Sequence, residues 1–182
     1  LRSWSFAAFS NAVNPRIVFG AGTAYGLEGE AAKRKGADIG AQAAGGLMRA
    51  TPDGDVEPGA VGVTIADHIA SQNLVNGVLA ALLARERTGR GQKIETSLLG
   101  GQIYAQASEY TATALLGRDL PAPTFGGHPV IFGLYGVVPT ADGAIALVGI
   151  TPGDRAEFFS LIGRPELAGV ERFMVNEIRG EV

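Results

Sequence analysis

The segment from Asp67 to Arg87 constrains the fold of this chain more than any other part of the sequence. Apolar residues in this segment and just before it recur at helical spacings, which predicts one long amphipathic helix; they are Ile65, Ile69, Val75, Val78, Leu79, Leu82 and Leu83. Gly89 provides a stop signal, and Arg85 and Arg87 suit the negative end of the helix dipole. Such a helix spans roughly 30 Å, the width of a small domain. We therefore expect it to be the structural centre of its domain.

Shorter elements are predicted on both sides of this helix. Apolar residues bounded by glycine indicate a strand over 17–19, and a glycine-rich loop over 20–26 follows it. Ile39, Ala43, Leu47 and Ala50 are spaced for one face of a helix over 37–50. The remaining predictions before Gly117 are a helix over 5–12, an irregular loop over 51–59, a strand over 94–99 and a helix over 100–116. This part of the chain is therefore predicted to be α/β.

The character of the sequence changes after Gly117. Prolines and glycines between 121 and 129 indicate a linker, so we expect one domain over 1–117 and a smaller one over 118–182. In the second domain Asp142-Gly143 predicts the turn of a β-hairpin. Helices are predicted over 153–162 and from Phe173 onward. The second domain is accordingly predicted to be α+β.

The composition excludes several classes of protein. The chain of 182 residues is 46% apolar and 18% charged, which is enough to bury a core, and its net charge of −3 disfavours nucleic acid and anionic membranes as partners. It contains no cysteine, which excludes disulfides, thiolate catalysis and iron–sulfur clusters and fits a cytoplasmic protein. Only His68 and His128 could supply imidazole, so we expect no metal site. The longest apolar run, 78–84, is far too short to span a bilayer.

The loop at 20–26 resembles a dinucleotide-binding fingerprint, because it reads G-x-G-x-x-x-G after a predicted strand. However, position 25 is tyrosine, and the acidic residue expected near 20 positions further on is Asp38. That residue opens a predicted helix instead of ending a second strand. A nucleotide-dependent oxidoreductase is therefore an alternative that rests on this loop alone, and a tight turn beside a ligand or another backbone segment is favoured.

Candidate nucleophiles are few. The sequence has no G-x-S-x-G, and neither histidine has neighbours that indicate a catalytic triad. Asp53 and Asp55 lie in the glycine- and proline-rich loop, and a carboxylate is ionised at pH 7 without the help of a base. Aspartates in such a context are also typical turn formers. On the residues alone the turn-forming interpretation is favoured, and a nucleophilic carboxylate is the alternative.

Several motifs occur in an order that resembles one known family. They are NPRIV at 14–18, GGLM at 45–48, LAALLARERTGRGQ at 79–92, PTADG at 139–143 and GRPEL at 163–167. On these residues, from about residue 11 to the end, the chain resembles the family III coenzyme A transferases. That family includes formyl-CoA transferase, carnitine CoA-transferase and the α-methylacyl-CoA racemases. The resemblance implies part of a Rossmann-like large domain followed by a smaller α+β domain, in an interlocked homodimer.

The resemblance also implies a chemistry in which CoA moves from an acyl-CoA to a carboxylic acid acceptor. A loop aspartate forms a mixed anhydride and then an aspartyl-CoA thioester, and coenzyme A is a substrate, with no prosthetic group and no metal. In the transferases this aspartate lies nine residues after the second glycine of the Gly-Gly helix. Counting from Gly46 leads to Asp55. Asp53 is the alternative, because the sequence around it departs from the usual Gly-x-x-Asp-Gly pattern.

Two further segments match positions that the family uses for binding. Gly22, Thr23, Ala24 and Tyr25 resemble the strand-end loop that lies against CoA. Gly126 and Gly127 resemble the loop of the small domain that closes over the acyl group, although a flexible linker is an equally good interpretation of these glycines. His128 is interpreted as a loop histidine.

Two alternatives accompany the transferase interpretation. The racemase branch uses a histidine before the aspartate that opens the Gly-Gly helix, and an aspartate that opens the long helix. Asp67 matches the second position, but Ala37 stands in place of the histidine, which disfavours two-base proton transfer. Family members are also about twice as long as this chain. It is therefore expected to be a central segment, and a fragment without catalytic activity is the other alternative.

Overall fold

The computed structural model describes residues 13–50, 58–120, 127–128, 131, 134–151 and 153–170. Contacts between residues divide the chain into two compact units. The first contains the described residues up to Met48 together with Ala60–Ala107, and the second contains residues 49–50, 58–59 and those from Ser108 onward. The functional domain boundary after residue 117 stays a prediction. The predicted helices over 5–12 and from Phe173 lie outside the described residues.

The first unit is a parallel two-stranded sheet with a long helical crossover. Strands β1 (Phe19–Thr23) and β2 (Lys93–Ser97) pair in parallel, with Phe19 opposite Lys93 and Thr23 opposite Ser97. The other helices of this unit are α1 (Asp38–Ala44) and α3 (Leu98–Ala105). The crossover is α2 (Ile65–Thr88), which confirms the predicted long helix. It ends as predicted at Gly89, whose φ of 72° is left-handed and whose amide donates to the Arg85 carbonyl at 2.8 Å.

Small residues bring α2 close to α3. On α2, Ala66 and Ala70 are buried. A Cβ atom added at Gly101 of α3 would lie 2.8 Å from the Ala70 nitrogen and 3.0 Å from the Ala66 oxygen. The two helix backbones therefore approach at a distance that only glycine and alanine permit.

The apolar stripe predicted for α2 is only partly buried. Val75, Leu79 and Leu83 have exposed fractions of 52%, 59% and 58%. They recur every four residues and so share one face of the helix. The buried positions are instead alanines, since the helix contact with α3 requires small side chains, and this places the larger residues on another face.

The prediction for 37–50 was wrong in length and in the face that is buried. Helix α1 ends at Ala44, and the chain then turns through Gly46, which has a φ of 77°. A 3-10 turn at Leu47–Arg49 follows. Ile39 is 60% exposed, whereas Asp38 and Gln42 are buried. The polar side chains of Asp38 and Gln42 can be buried because they form hydrogen bonds with backbone groups of another segment.

Other boundaries also differ from the prediction. The strand predicted at 17–19 begins at Phe19 and continues through Thr23, so Gly22 and Thr23 lie in a strand and not in a loop. A Cβ atom added at Gly20 would lie 3.1 Å from Leu74 Cδ1, so glycine lets this strand pack on α2. The helix predicted over 100–116 is two helices, α3 and α4 (Ala107–Leu116), which are interrupted at Gln106.

The second unit contains an antiparallel hairpin, which confirms that prediction. Strands β3 (Leu134–Pro139) and β4 (Ala144–Ile150) pair across a turn in which the Thr140 amide donates to the Gly143 carbonyl at 2.8 Å. Helix α5 (Arg155–Leu161) follows, and the chain then passes through Gly163 into a 3-10 segment at Pro165–Gly169. The described part of the chain is thus α/β in its first unit and α+β in its second.

Candidate functional site

The residues predicted to lie against CoA are at the carboxyl edge of the parallel sheet. Gly22 and Thr23 end β1, and Ala24 and Tyr25 follow directly. Because the strands are parallel, the carboxyl end of β2 at Ser97 lies at the same edge. Ligands of open α/β sheets bind outside the carboxyl ends of the strands. The structure therefore brings all four residues to the edge where a ligand is expected.

Local hydrogen bonds fix the chain as it leaves β1. The Gly26 amide donates to Thr23 Oγ1 at 2.9 Å, and the Leu99 amide at the start of α3 donates to the Ala24 carbonyl at 3.0 Å. A Cβ atom added at Gly22 would meet only Thr96 Cγ2, at 4.0 Å. Gly22 is exposed, and its missing side chain leaves space that no described residue of the protein fills.

Tyr25 packs against the segment that leads into α1. Its ring would lie 2.8 Å from a Cβ atom added at Gly36, and its hydroxyl would lie 2.7 Å from one added at Gly40. Glycine at both positions lets the ring approach the backbone. Tyr25 therefore joins the β1 loop to α1, in addition to the binding role predicted from the family resemblance.

Asp38 caps the amino terminus of α2 from another helix. Its carboxylate is 7% exposed and accepts from the Ala66 amide at 2.7 Å and from the Asp67 amide at 3.3 Å. Gln42 Nε2 donates to the other carboxylate oxygen at 2.6 Å. Two otherwise unpaired amides of the first helical turn are thereby satisfied by a charged acceptor. The Asp38 carboxylate is consequently occupied by hydrogen bonds at the start of α2. Asp38 therefore does not have the position of a ribose-binding acid.

Asp67 lies in the first turn of α2 and is half-buried. Within the described part of the chain, its carboxylate has no hydrogen-bond or ion-pair partner. The positive end of a helix of 24 residues favours a negative charge at this place. Asp67 is thus a carboxylate held in a fixed backbone position at the amino terminus of α2.

The predicted nucleophiles and part of the predicted acyl loop fall outside the residues that the structure describes. Asp53 and Asp55 lie outside the described residues, and so does Gly126. Gly127 and His128 are described and half-buried. His128 Nε2 forms a close pair with Glu109 Oε1 of α4 within the second unit. This contact ties the residue after Gly127 to α4.

Among the described residues, no cluster of three or more His, Asp and Glu side chains is placed to hold a metal ion. Nε2 of His68 on α2 lies 3.4 Å from Oγ1 of Thr64. Nor does the described part of the chain include a helix with the length and hydrophobicity needed to cross a membrane.

Comparison with known proteins defines the class to which this arrangement belongs. The family model for CoA-transferase family III matches residues 7–181, and the chain is a member of that family. The match covers both units and confirms the resemblance seen in the motifs. The fold class is confirmed with it: a CAIB/BAIF family protein from Brucella suis has 30% sequence identity and superposes with a TM-score of 0.77 over 96% of this chain.

Individual relatives cover nearly all of this chain but are much longer. A succinate–glutarate CoA-transferase from Agrobacterium fabrum is 32% identical over 167 residues, which is 92% of this chain and 41% of the relative. A succinyl-CoA–D-citramalate CoA-transferase from Chloroflexus aurantiacus is 28% identical over 94% of this chain and 42% of its own length. The chain thus spans about two fifths of the length of the curated relatives that it matches.

Proposed function

We propose that the protein transfers coenzyme A from an acyl-CoA donor to a carboxylic acid acceptor. The observation that carries this proposal is the family match over residues 7–181. The names of the two relatives above support short dicarboxylic acids as the first substrates to test. The location of Gly22 to Tyr25 at the carboxyl edge of the sheet supports the proposal that they contact the thioester end of CoA.

The proposed reaction proceeds through an enzyme carboxylate. One carboxylate oxygen attacks the thioester carbonyl of the donor; the carbon–sulfur bond breaks, CoA leaves as thiolate, and a mixed anhydride remains. The thiolate then attacks the aspartyl carbonyl, which releases the donor carboxylate and leaves an aspartyl-CoA thioester. The acceptor carboxylate repeats the two steps in reverse and regenerates the aspartate. No proton is gained or lost in these steps. The protein binds CoA throughout the reaction, which keeps the thiolate beside each anhydride.

Three aspartates are candidates for this carboxylate. Spacing from Gly46 favours Asp55, with Asp53 as its alternative in the same loop. The described geometry supports Asp67 as a third candidate, because its carboxylate is held at a helix amino terminus with no partner in the described part of the chain. An α-carbon racemase would also use Asp67, but Ala37 precedes Asp38 where that branch has a histidine.

The family resemblance supports three further parts of the proposal. We propose that Gly126 and Gly127 belong to a loop over the acyl group, that the protein forms a homodimer, and that it acts in acyl-CoA metabolism in the cytoplasm. The absence of cysteine fits the reducing conditions there. Dimer formation is measured directly by sedimentation or light scattering.

An isotope experiment tests the proposed reaction. The protein is incubated with unlabelled succinyl-CoA and with 13C-labelled succinate or glutarate, and the thioesters are analysed by mass spectrometry. Transfer predicts labelled acyl-CoA and an equal amount of unlabelled free acid. In a parallel incubation in D2O with a 2-methylacyl-CoA, deuterium uptake at the α-carbon without label exchange would instead indicate racemase chemistry. Recovery of the donor unchanged, with every acid offered, would contradict both and favour a chain without catalytic activity.

A further inference from the structure

A groove lies between the chain that leads into β1 and the carboxyl-terminal half of α2. Its volume is about 510 Å³, which is within the range of about 300–1,000 Å³ that is usual for small-molecule sites. Half-buried apolar side chains form both of its walls, and they are Ile17, Val18, Val78 and Leu82. These residues all belong to the first unit. The groove therefore offers a hydrocarbon chain an apolar surface to cover.

Two arginines line the same groove at one end. Arg85 shares a face of α2 with Val78 and Leu82, because the three residues are spaced by four and three. Nη1 of Arg16 would lie 4.0 Å from a Cβ atom added at Gly89, so this guanidinium group also lies at the carboxyl end of α2. The negative end of the helix dipole favours positive charge at this place. The groove thus combines an apolar surface with two cationic groups.

The described residues neutralise these two charges only in part. Glu86 Oε1 lies 3.4 Å from Nη2 of Arg16 and 3.6 Å from Nε of Arg85, and the Glu86 side chain is 66% exposed. Arg85 Nη1 donates to the Arg16 carbonyl at 3.5 Å. Nε of Arg85 is buried and has no hydrogen-bond partner in the described part of the chain. One exposed carboxylate thus faces two guanidinium groups, which leaves one positive charge for an anionic ligand.

Hydrogen bonds hold the wall of the groove before β1 in place. The Pro15 carbonyl accepts from the Gly91 amide at 2.8 Å. Asn14 accepts from the Arg16 amide through Oδ1 at 2.9 Å and from the Ile17 amide through its carbonyl at 3.1 Å. The groove is therefore formed without a ligand, which lowers the cost of ordering the protein when a ligand binds.

The groove lies at the amino edge of the parallel sheet. Residues 16–18 lead into β1, whereas Gly22 to Tyr25, which are proposed to contact CoA, lie at its carboxyl end. A strand of five residues separates these two edges by roughly 16 Å. The groove is therefore a different place from the one that the proposed function requires.

We propose that this groove is a second binding site, and that its ligand is a monocarboxylate with an unbranched apolar chain. The carboxylate pairs with the guanidinium groups of Arg16 and Arg85, and the chain covers the apolar walls. Val78 and Arg85 are separated by a rise of roughly 10 Å along α2, which an extended chain of about eight carbon atoms spans. A second carboxylate on the ligand has no cation to meet at the apolar end.

Calorimetric titration with sodium octanoate, below the concentration at which it forms micelles, tests the proposal. Hexanoate is expected to bind about tenfold more weakly, because two fewer methylene groups are buried. Octyltrimethylammonium has a chain of the same length and the opposite charge, and it is expected to bind at least tenfold more weakly than octanoate. Equal affinity for octanoate and octyltrimethylammonium would show that charge plays no part and would overturn the proposal.

Two variants remove one guanidinium group each and keep an unbranched side chain. Arg16→Met and Arg85→Met are each expected to weaken octanoate binding about tenfold, as is typical for the loss of a charged hydrogen bond. Arg16 is 51% exposed, so its variant keeps the test valid if Arg85→Met does not fold. The control is Arg87→Met, which removes an exposed cation from another face of the last turn of α2. A change of less than twofold is expected there.

The site of binding is read from the methyl NMR signals of Ile17, Val78 and Leu82, which are expected to shift with octanoate. Absence of binding, unchanged affinity in both groove variants, or shifts confined to other methyl groups would each overturn the proposal. A dimer that dissociates in Arg85→Met, measured by sedimentation, would show that a second copy covers the groove and would also overturn it. None of these measurements requires CoA transfer, so failure of the proposed function leaves this test unaffected.

Discussion

At Gly91 two segments of the first unit approach closely. A Cβ atom added there would lie 1.8 Å from the Ile17 carbonyl oxygen and 2.4 Å from the Ile17 carbonyl carbon. The Gly91 amide donates to the Pro15 carbonyl at 2.8 Å. The two glycines of the T-G-R-G-Q segment are thus required for different reasons. Gly89 adopts a left-handed conformation, and Gly91 leaves room for the backbone of Ile17.

Gly91→Ala is therefore expected to lower the free energy of unfolding by about 3 kcal/mol, because rigid backbone atoms must shift to admit the methyl group. Gly62→Ala is the control, since a Cβ atom there meets nothing within 4 Å; we expect a change below about 1 kcal/mol. Urea unfolding followed by circular dichroism measures both. If Gly91→Ala and Gly62→Ala were equally stable, position 91 would not lie as close to the Ile17 carbonyl group as described.

Asp38 provides a second prediction at the residue scale. Asp38→Ala removes the acceptor of the Ala66 and Asp67 amides and one of the two acceptors of the Gln42 side-chain amide. We expect it to lower the free energy of unfolding by about 2 kcal/mol, as is typical for hydrogen bonds to a charged group. Glu28→Ala removes an exposed carboxylate and is expected to change stability by less than about 0.5 kcal/mol. A loss in Asp38→Ala no larger than in this control would contradict the capping role.

The long helix α2 determines the packing of the first unit through its smallest residues. Its contact with α3 is formed where Ala66 and Ala70 meet Gly101, while Leu79 and Leu83 are exposed. Hydrophobic residues exposed every four positions on one helix are the usual sign of a surface that another element covers. A polar substitution at Leu79 or Leu83 is therefore expected to lower the stability of this unit less than a larger residue at Ala66 or Ala70.

Ala70→Leu tests this packing at the scale of the element. The added atoms have no space between α2 and α3, since Ala70 is 4% exposed, so we expect the free energy of unfolding to fall by about 2–3 kcal/mol. Ala80→Leu makes the same change at an exposed position of the same helix and is expected to alter it by less than about 0.5 kcal/mol. Thermal and urea unfolding of both variants measures the difference, and similar losses at the two positions would refute the packing described.

The sequence allows some of these elements to be predicted and not others, for identifiable reasons. Helix α2 and its end at Gly89 are local features of periodicity and backbone conformation, and the hairpin turn at Asp142-Gly143 is local as well. The buried face of α1 could not be predicted, because Asp38 and Gln42 are satisfied by backbone groups more than 18 residues away in sequence. The spacing of four between two polar residues among small ones is the signal that marks them in retrospect.

At the scale of the whole molecule, the family match extends through both units, although the chain spans about two fifths of its curated relatives. The order of the motifs identified the family from the sequence. The resemblance also indicated Gly22 to Tyr25, which lie at the carboxyl edge of the parallel sheet, while their contact with CoA stays a prediction. Sequence spacing favours Asp55 over Asp53 as the nucleophile, and this choice stays a prediction because both residues lie outside the described part of the chain.

The most direct test of the account is the intact mass of the protein after incubation with a panel of acyl-CoA donors. The account predicts an added mass equal to CoA less one water, removed by hydroxylamine, which marks an aspartyl thioester. The adduct is expected to be absent from Asp55→Asn; its absence from Asp53→Asn or Asp67→Asn instead would reassign the nucleophile while retaining the mechanism. A protein that stays unmodified with every donor, or an adduct that persists in all three variants, would contradict transfer through an aspartyl-CoA intermediate.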